Sequence, residues 1–345
     1  MKPLTKYGPR LRAELDSFLA AQQAAASGAW SRDFLRRLRR FAGDGKLLRG
    51  SLVCFSYQAW SGRRPGKAVM RTALAVELAH SGLLIHDDIM DGDQLRRGRP
   101  SMHHQYELLA KRRRLANPAG FGTAMALSGG DIALFLAFEL LNAAGSTSAR
   151  RIFSEQLLQT CGGQMQDIYL GAMTGEADKP AIYAVMEQKT ARYSLAMPLS
   201  LGAALAAQPP SVLQKMQAIG RLAGIIFQIR DDELGVLGSQ RLTGKPVGAD
   251  IRENKKTLLR YYLMQHATAA EQQRLRAVFG NPAAAKTDIR YVQSLLRHYQ
   301  IPALVAEEIA ALQQEASEHV ARLPLSPAAR QAFQDVVDFC AQRQF

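Results

Sequence analysis

The sequence has few of the features that stabilise small disulfide-bonded or metal-bound domains, or domains built on β-sheets. It has only 3 cysteines in 345 residues, Cys54, Cys161 and Cys340, and no two of them form a Cys-x-x-Cys pair. This spacing disfavours both a zinc site and a disulfide framework, so we expect ordinary reduced thiols. Clear alternation of apolar and polar residues, the pattern of a half-buried strand, is also absent, which disfavours a sheet-based fold.

Long apolar runs are missing as well. The stretch ALAVELAHSGLLI is interrupted by Glu77 and His80, and it falls short of the roughly 18 uninterrupted apolar residues of a membrane span. The N-terminal segment MKPLTKYGPR lacks the apolar core of a signal peptide. These absences predict a cytoplasmic protein.

Acidic residues are in deficit. The chain has 44 Lys and Arg against 30 Asp and Glu, a formal net charge of +14. The summed field should attract anions, and nucleic acid, anionic lipid and phosphorylated metabolites all satisfy that sign. The local arrangement of charge must decide among them.

The chain does have apolar residues at three- and four-residue spacing, as in Leu74, Leu78 and Ile85, which indicates helices. We expect one all-α domain over residues 1–345, since no repeat or low-complexity linker divides it. Chemistry-bearing motifs fall within residues 43–257, and shorter amphipathic helices in 263–345 are expected to serve packing or subunit contact.

Prolines such as Pro118 and Pro180 fall where helices should begin or end, but one proline interrupts this helical pattern. Pro198 lies inside a helical run of about residues 181–206, where it should produce a kink.

Two acidic clusters stand out. Asp87 and Asp91 are four residues apart, so on a helix both carboxylates project from one face, which suits magnesium bridged by a diphosphate. Asp231 and Asp232 follow Gln228 on a second apolar helix, and we expect the two clusters to face one cavity. A solvated helix end or a surface ion pair is the alternative interpretation of each cluster alone.

Basic residues accompany both clusters. Arg96, Arg97 and Arg99 follow the first cluster directly, and their guanidinium groups suit diphosphate oxygens as well as neighbouring carboxylates. Further cations occur in GDGKLLRG, beside Thr190, and in TGKPVGADIRENKKT. A single lysine of this kind is more often a solvated charge, so their joint presence carries the interpretation.

Together these segments resemble the trans-prenyl diphosphate synthases, the polyprenyl synthetase family, from about Gly43 to Thr257. The resemblance rests on GDGKLLRG, HDDIMD with its RRG loop, GGQMQDI and FQIRDDELG. It implies the isoprenoid synthase fold, a bundle of long helices around a central prenyl-chain cavity. It also implies condensation of isopentenyl diphosphate with an allylic diphosphate, two or three Mg²⁺ ions and a homodimer.

The resemblance assigns roles residue by residue. It implies that isopentenyl diphosphate is bound by Lys46, Arg49, His80 and Arg97, that magnesium is bound by Asp87, Asp91 and Asp231, and that the allylic diphosphate and its reacting carbon are surrounded by Arg96, Lys189, Thr190, Gln228, Lys245 and Lys255.

Two positions depart from the family pattern. Gly50 stands where many members have proline, and the second motif ends in Gly235 where an aspartate is usual. Glu233 is a poor replacement, because residues two positions apart face different sides of a helix. A third metal is therefore expected to rest on Asp231 and water.

Product length is expected to depend on the residues preceding Asp87, since each helical turn of about 5.4 Å is comparable to one isoprene unit. In this family, bulky aromatics four and five positions back stop growth at farnesyl length. Those positions hold Leu83 and Gly82 here, with Ala79 one turn further. Geranylgeranyl diphosphate or a longer product is expected, farnesyl diphosphate is the alternative, and Gly82→Phe should shorten the product.

Other functions compete with this interpretation. A class I terpene cyclase has no need of a second diphosphate site at Lys46, Arg49 and His80, and a non-catalytic synthase subunit would be expected to lose some of these ligands. SRDFLRRLRR and KRRR suggest a nucleic-acid binder, but no base-reading groups are interleaved, so we expect no nucleic-acid partner. For the helix around Phe34, packing with a solvated basic face is favoured over weak peripheral membrane contact.

Overall fold

The computed structural model describes residues 5–238 and 248–342. Within them every element is helical except one short hairpin, so the predicted all-α class is confirmed. The chain divides into two compact units: unit 1 is Met1–Ile152 with Pro198–Pro210, and unit 2 is Phe153–Met197 with Ser211–Phe345. The expectation of a single domain stays a prediction, and each unit is described by itself.

Unit 1 holds the first acidic cluster and the basic hairpin. The hairpin consists of two short antiparallel strands, Leu95–Arg96 and Arg99–Pro100, with Arg96 opposite Arg99. The elements are α1 Gly8–Ala25, α2 Ala29–Gly43, α3 Leu48–Ser61, α4 Lys67–Met90, β1 Leu95–Arg96, β2 Arg99–Pro100, α5 Met102–Arg112, α6 Pro118–Ala143, the start of α7 Thr147–Ala172, and α9 Met197–Leu205.

Unit 2 holds the second acidic cluster and the C-terminal helices. Its elements are the rest of α7, α8 Lys179–Val185, a π-helical segment Met186–Ala196, α10 Pro210–Leu237, α11 Ala249–Arg252, α12 Leu258–His266, α13 Ala269–Val278, α14 Lys286–His298, α15 Ile301–Ala321 and α16 Pro327–Ala341.

Several helices begin where proline and a capping side chain coincide. Asn117 caps α6 and Asp178 caps α8, each through a side-chain oxygen that accepts a backbone N–H three residues on. Proline suits the first turn because its missing N–H would have no helical partner there. The prolines in these segments therefore mark helix starts, as the sequence indicated.

The core of unit 1 depends on a close approach of α4 and α6. A Cβ atom at Gly82 would lie 2.9 Å from the carbonyl oxygen of Gly130 and 3.1 Å from Leu134 Cγ. Gly82 therefore faces α6 directly. The expectation that Gly82→Phe shortens the product stays a prediction, but the phenyl ring would first have to displace α6.

Helix α2 buries its apolar stripe in the same unit. Phe34, Leu35 and Leu38 are at most 5% exposed. The ring of Phe34 fills the space that a side chain at Gly129 would take. This stripe is thus committed to core packing, and the arginines are what α2 presents outward.

The irregularity in the helical run that contains Pro198 is a π-helical segment that precedes the proline. Helix continues from Lys179 to Leu205, but residues 186–196 adopt π-helical geometry immediately before the proline. A π-helical stretch widens the turn, and such stretches occur frequently at functional sites. Lys189 and Thr190 lie in this widened segment.

The C-terminal helices of unit 2 are anchored by one carboxylate. Glu308 of α15 accepts hydrogen bonds from the hydroxyls of Tyr183 and Tyr262 and from Lys179. The Tyr183 bond is 2.8 Å long. This network ties α8, α12 and α15 together, while the packing or subunit-contact role expected for residues 263–345 stays a prediction.

By length and composition, α4 and α6 could each span a membrane. Core helices of soluble proteins meet the same criterion, and 72% of the most apolar window of α4 is buried, against 44% for α6. Helix α4 is therefore a core helix of unit 1, whereas α6 leaves much apolar surface uncovered.

We predict that Gly82→Ala lowers the free energy of unfolding by about 1–3 kcal/mol, because the added methyl group forces α4 and α6 apart. Gly162→Ala is the matched control, since nothing lies within 4 Å of a Cβ at that helical glycine. This control should be neutral or raise stability by up to about 1 kcal/mol. Urea denaturation followed by circular dichroism measures both, and an equally stable Gly82→Ala variant would contradict the close crossing.

Candidate active site

The first acidic cluster lies at the C-terminal end of α4. Asp87 is in the last turn and Asp91 follows Met90, with its backbone N–H bonded to the carbonyl oxygen of Asp87 at 2.9 Å. The two aspartates are therefore one helical turn apart, as their spacing predicted. Their oxygen donors are of the kind that magnesium prefers.

The intervening residue has a different environment. Asp88 is fully buried and accepts hydrogen bonds from Arg96, with Nε 2.6 Å from Oδ1. Burial raises the pKa of Asp88 to about 6, although Arg96 acts in the opposite direction. Asp88 thus holds Arg96, whose guanidinium also lies 3.8 Å from Asp87 Oδ2.

The hairpin that carries Arg96 has a tight turn. Arg97 and Gly98 have φ angles of 54° and 73°, the left-handed pair required by a type I′ turn. Arg97 donates a hydrogen bond to the carbonyl oxygen of Phe41 at 3.1 Å. A non-glycine residue in this conformation is held by its surroundings, and such strain concentrates at functional sites.

The GDGKLLRG segment forms the loop from α2 into α3. Lys46 is exposed in the loop, and Arg49 lies in the first turn of α3. Arg97 lies against this loop, with its terminal nitrogens 3.3 Å from the Cβ position of Gly45. The predicted cations of unit 1 thus share one region.

Buried polar groups support this region from α4. The backbone N–H of Gly50 donates to Glu77 Oε1 at 2.7 Å, a bond that proline at this position could not make. Desolvation, followed by the charges of Arg49, Arg97 and Arg96, lowers the pKa of His80 well below its usual value. His80 is therefore neutral near pH 7 and can donate one N–H without adding charge.

In unit 2, one carboxylate joins two of the predicted cations. Asp167 of the GGQMQDI segment lies 2.5 Å from Lys189 Nζ and 3.6 Å from Lys255 Nζ. Close packing supports the arrangement, because a Cβ at Gly163 would collide with the backbone nitrogen of Lys189. Asp167 therefore gathers Lys189 and Lys255 into one group.

Thr190 and Gln228 also meet in unit 2. The hydroxyl of Thr190 donates to Gln228 Oε1 at 2.7 Å, and Gln228 Nε2 donates to Asp232 Oδ1 at 2.7 Å. Desolvation raises the pKa of Asp232 well above its usual value, and the charges of Asp250 and Asp231 add to the effect. The amide of Gln228 is thus fixed in orientation.

The departure at Gly235 has a structural counterpart. A Cβ at Gly235 would collide with Asp250 Oδ2. The carboxylate of Asp250 therefore occupies the space that a side chain at position 235 would take. Glu233 is engaged elsewhere, with Oε2 2.5 Å from Arg230.

The predicted residues thus form groups within each unit. Unit 1 groups Arg49, His80, Arg96 and Arg97, with Asp87 and Asp91 at the end of α4, and unit 2 groups Lys189, Thr190, Gln228, Asp231 and Lys255. Ala79, Gly82 and Leu83 lie on α4, while Lys245 lies outside the described residues.

Three further carboxylates belong to these groups that no motif in the sequence assigned to them: Glu77, Asp167 and Asp250. Asp167 stood in a recognised segment without a role. The lack of an aspartate at position 235 was the one signal in the sequence for a carboxylate from elsewhere in the chain, but nothing in the sequence identified Asp250.

Comparison with known proteins agrees with this geometry. A family model described as polyprenyl synthetase matches residues 34–296. The chain is 30% identical over 313 residues to a geranylgeranyl diphosphate synthase of Saccharolobus solfataricus, covering 88% of each chain. It is 37% identical over 229 residues to a (2E,6E)-farnesyl diphosphate synthase of Mycobacterium tuberculosis, covering 66% of this chain and 58% of that one.

Solved structures give the same result. A geranylgeranyl pyrophosphate synthase from Corynebacterium glutamicum, crystallised with isoprenyl diphosphate and magnesium, superimposes with a TM-score of 0.92 at 30% identity, covering 99% of both chains. The family match, the relatives and the fold agree, and the chain belongs to the polyprenyl synthetase family of prenyltransferases.

Proposed function

We propose that this prenyltransferase condenses isopentenyl diphosphate with an allylic diphosphate to make an all-trans prenyl diphosphate. The observation that carries the proposal is the pairing of Arg96 with buried Asp88, which holds a guanidinium 3.8 Å from Asp87. A cation fixed beside a metal-binding carboxylate suits a departing diphosphate.

The side chains fit a magnesium cofactor. Asp87 and Asp91 offer oxygen donors from one helical turn in unit 1, and Asp231 offers another in unit 2. We propose that these residues hold two or three Mg²⁺ ions. When bound, magnesium neutralises charge on the diphosphate that leaves the allylic carbon.

The remaining side chains have separate tasks in this proposal. Arg96, Lys189, Lys245 and Lys255 bind the allylic diphosphate, whereas Lys46, Arg49, His80 and Arg97 bind isopentenyl diphosphate. The allylic C–O bond breaks, and the π electrons of isopentenyl diphosphate form the new C–C bond. The released diphosphate accepts the proton that is then lost.

The allylic cation must be shielded from water by a cavity surface that presents only a few oriented dipoles. Thr190 and Gln228 supply two, because their mutual hydrogen bond of 2.7 Å fixes both side chains. Both lie in unit 2, Thr190 in the π-helical segment and Gln228 in α10.

We propose geranylgeranyl diphosphate or a longer chain as the product, with Ala79, Gly82 and Leu83 as the residues that influence its length. The relative from Saccharolobus solfataricus and the structure from Corynebacterium glutamicum, both named as geranylgeranyl synthases, support this product. Farnesyl diphosphate is the second candidate, because the mycobacterial relative is named for it.

We further propose a cytoplasmic homodimer. Uncovered apolar side chains on unit 1 support it: in α6, Phe135 is 71% exposed and Leu127 is 43% exposed. Apolar patches of this kind mark association surfaces. Membrane contact through α2 has less support, because its apolar stripe is buried.

The proposed reaction is tested with labelled isopentenyl diphosphate and each allylic primer, followed by product-length analysis. We expect acyclic products of geranylgeranyl length or longer, loss of turnover on chelation, and a loss of roughly 100-fold or more in Asp87→Ala. Circular dichroism should show that this variant stays folded. A cyclic hydrocarbon product, or full activity without metal, would contradict the proposal.

The two substrate sites can be separated by kinetics. Lys46→Ala should raise the Michaelis constant for isopentenyl diphosphate by about 10- to 100-fold. This factor corresponds to the free energy of one hydrogen bond to a charged group. Lys189→Ala should chiefly impair use of the allylic substrate. Equal effects of both variants on both substrates would refute the division.

We propose that Asp250 supplies the carboxylate that position 235 lacks, because its Oδ2 fills the space of a Cβ there. Gly235→Asp should then abolish activity, since two carboxylates would compete for one space. The double variant Gly235→Asp/Asp250→Gly should be about tenfold more active than Gly235→Asp alone. A factor of this size lies within the range of coupling energies measured between contacting residues.

The control for this swap is Gly66→Asp, which adds a carboxylate where nothing lies within 4 Å. It should leave turnover unchanged. If the double variant is no more active than Gly235→Asp alone, the carboxylates are not interchangeable and the assignment of Asp250 fails.

For the dimer, Phe135→Glu should shift the protein to monomer in sedimentation velocity, because it places a charge within the exposed surface of α6. Leu115→Glu is the control, an exposed leucine between α5 and α6. A wild type that sediments as a monomer, or a Phe135→Glu variant that remains dimeric, would exclude this interface.

A further inference from the structure

The reaction proposed above gives no role to the arginines of α2. Three of them line a cavity of about 230 Å³ in unit 1, and three arginines of the hairpin region line it as well: Arg36, Arg37, Arg40, Arg96, Arg97 and Arg99. Phe41 and Pro100 add apolar lining. We call this the α2 arginine cavity.

Carboxylates compensate only part of this charge. Among the described residues that line the cavity, Asp44 is the only acid, and it lies 3.1 Å from Arg99. Outside the lining, Asp33 pairs with both Arg36 and Arg37, and Arg96 lies within ion-pair distance of Asp87, Asp88 and Asp93. Five carboxylates thus meet six guanidinium groups, but on the α2 side of the cavity Asp33 is the only described acid that pairs with Arg36, Arg37 or Arg40, a local excess of two positive charges.

The neighbouring positive charges affect the ionisation of the residues that line the cavity. Burial, followed by the charge of Arg96, lowers the pKa of Arg97, and the nearby acids Glu77 and Asp44 oppose this only in part. An anion in the cavity would relieve the repulsion among these cations. The cavity volume of about 230 Å³ equals that of about eight waters at roughly 30 Å³ each, which leaves room for a polyatomic anion.

The chemistry of the lining narrows the choice of anion. Guanidinium groups bind phosphate oxygens bidentately, so several of them around one cavity suit a multiply charged phosphate group. A strand of nucleic acid would instead require an open groove with aromatic stacking platforms. Insertion of α2 into a membrane is disfavoured because Phe34, Leu35 and Leu38 are buried.

We propose that the α2 arginine cavity binds a multiply charged phosphate group on its α2 side, next to the substrate positions and sharing two arginines with them. Lys46, Arg49 and His80 do not line it, whereas Arg96 and Arg97 do. If the proposed function is right, the two shared arginines make occupancy of the cavity compete with substrate binding. Free diphosphate and a phosphorylated lipid headgroup are the two sources of such a group.

The test counts bound diphosphate without turnover, so it stands apart from the proposed reaction. Equilibrium dialysis with labelled inorganic diphosphate, without divalent metal and at about 0.15 M salt, would compare three proteins. They are the wild type, Arg36→Ala/Arg40→Ala, and the control Arg63→Ala/Arg64→Ala, which removes the same charge from exposed arginines between α3 and α4.

We expect the wild type and the control to bind one more diphosphate per chain than Arg36→Ala/Arg40→Ala. Circular dichroism should show equal folding, since Arg36 and Arg40 are exposed. In a second arm, the three proteins are sedimented with vesicles containing phosphatidylinositol phosphate. Loss of vesicle binding in Arg36→Ala/Arg40→Ala alone would support the site and identify a headgroup as the source.

Equal binding by all three proteins in both arms would overturn the proposal. So would an equal diphosphate count combined with loss of duplex DNA retention in Arg36→Ala/Arg40→Ala, since that result would assign the arginines to nucleic acid. Salt dependence of each arm distinguishes binding in the cavity from general attraction to a basic protein.

Discussion

The buried ion pair between Asp88 and Arg96 is the interaction on which the rest of the unit 1 site depends. In the proposed reaction, the guanidinium that binds diphosphate must lie close to the carboxylates that bind metal without neutralising them. Consecutive helical residues point in different directions, so Asp88 can hold Arg96 from within the protein while Asp87 and Asp91 share another face. Removing Arg96 would leave the buried carboxylate of Asp88 without this cation, and breaking a buried pair in this way typically costs several kcal/mol.

In unit 2, two cations are likewise held close together, here by one carboxylate that they share. Asp167 lies within ion-pair distance of both Lys189 and Lys255, which keeps two cations together despite their repulsion. Widening of the helix before Pro198 places Lys189 and Thr190 in π-helical geometry, where Thr190 reaches Gln228. The π-helical segment thus carries the residue that forms the hydrogen bond to Gln228.

Much of this could be predicted from the sequence where the signal is local. Helical spacing placed Asp87 and Asp91 on one face, and prolines marked the starts of α6 and α8. Contacts between distant segments were not predictable, because no periodicity encodes them. The sequence showed only that Gly235 lacked a carboxylate, whereas the fold brings Asp250, fifteen positions later, into the vacant space. Glu77 was equally hidden, since its partner is a backbone N–H at Gly50.

The two acidic clusters, if they are metal sites, should bind divalent cations together with substrate. The most direct measurement is anomalous diffraction from crystals grown with Mn²⁺ and a non-reactive allylic diphosphate analogue. We expect anomalous peaks within coordination distance of Asp87 and Asp91, and a further peak at Asp231 with Asp250 in its ligand environment. Crystals that contain the bound analogue but show no manganese at Asp87 and Asp91 would contradict the assignment of these aspartates as metal ligands.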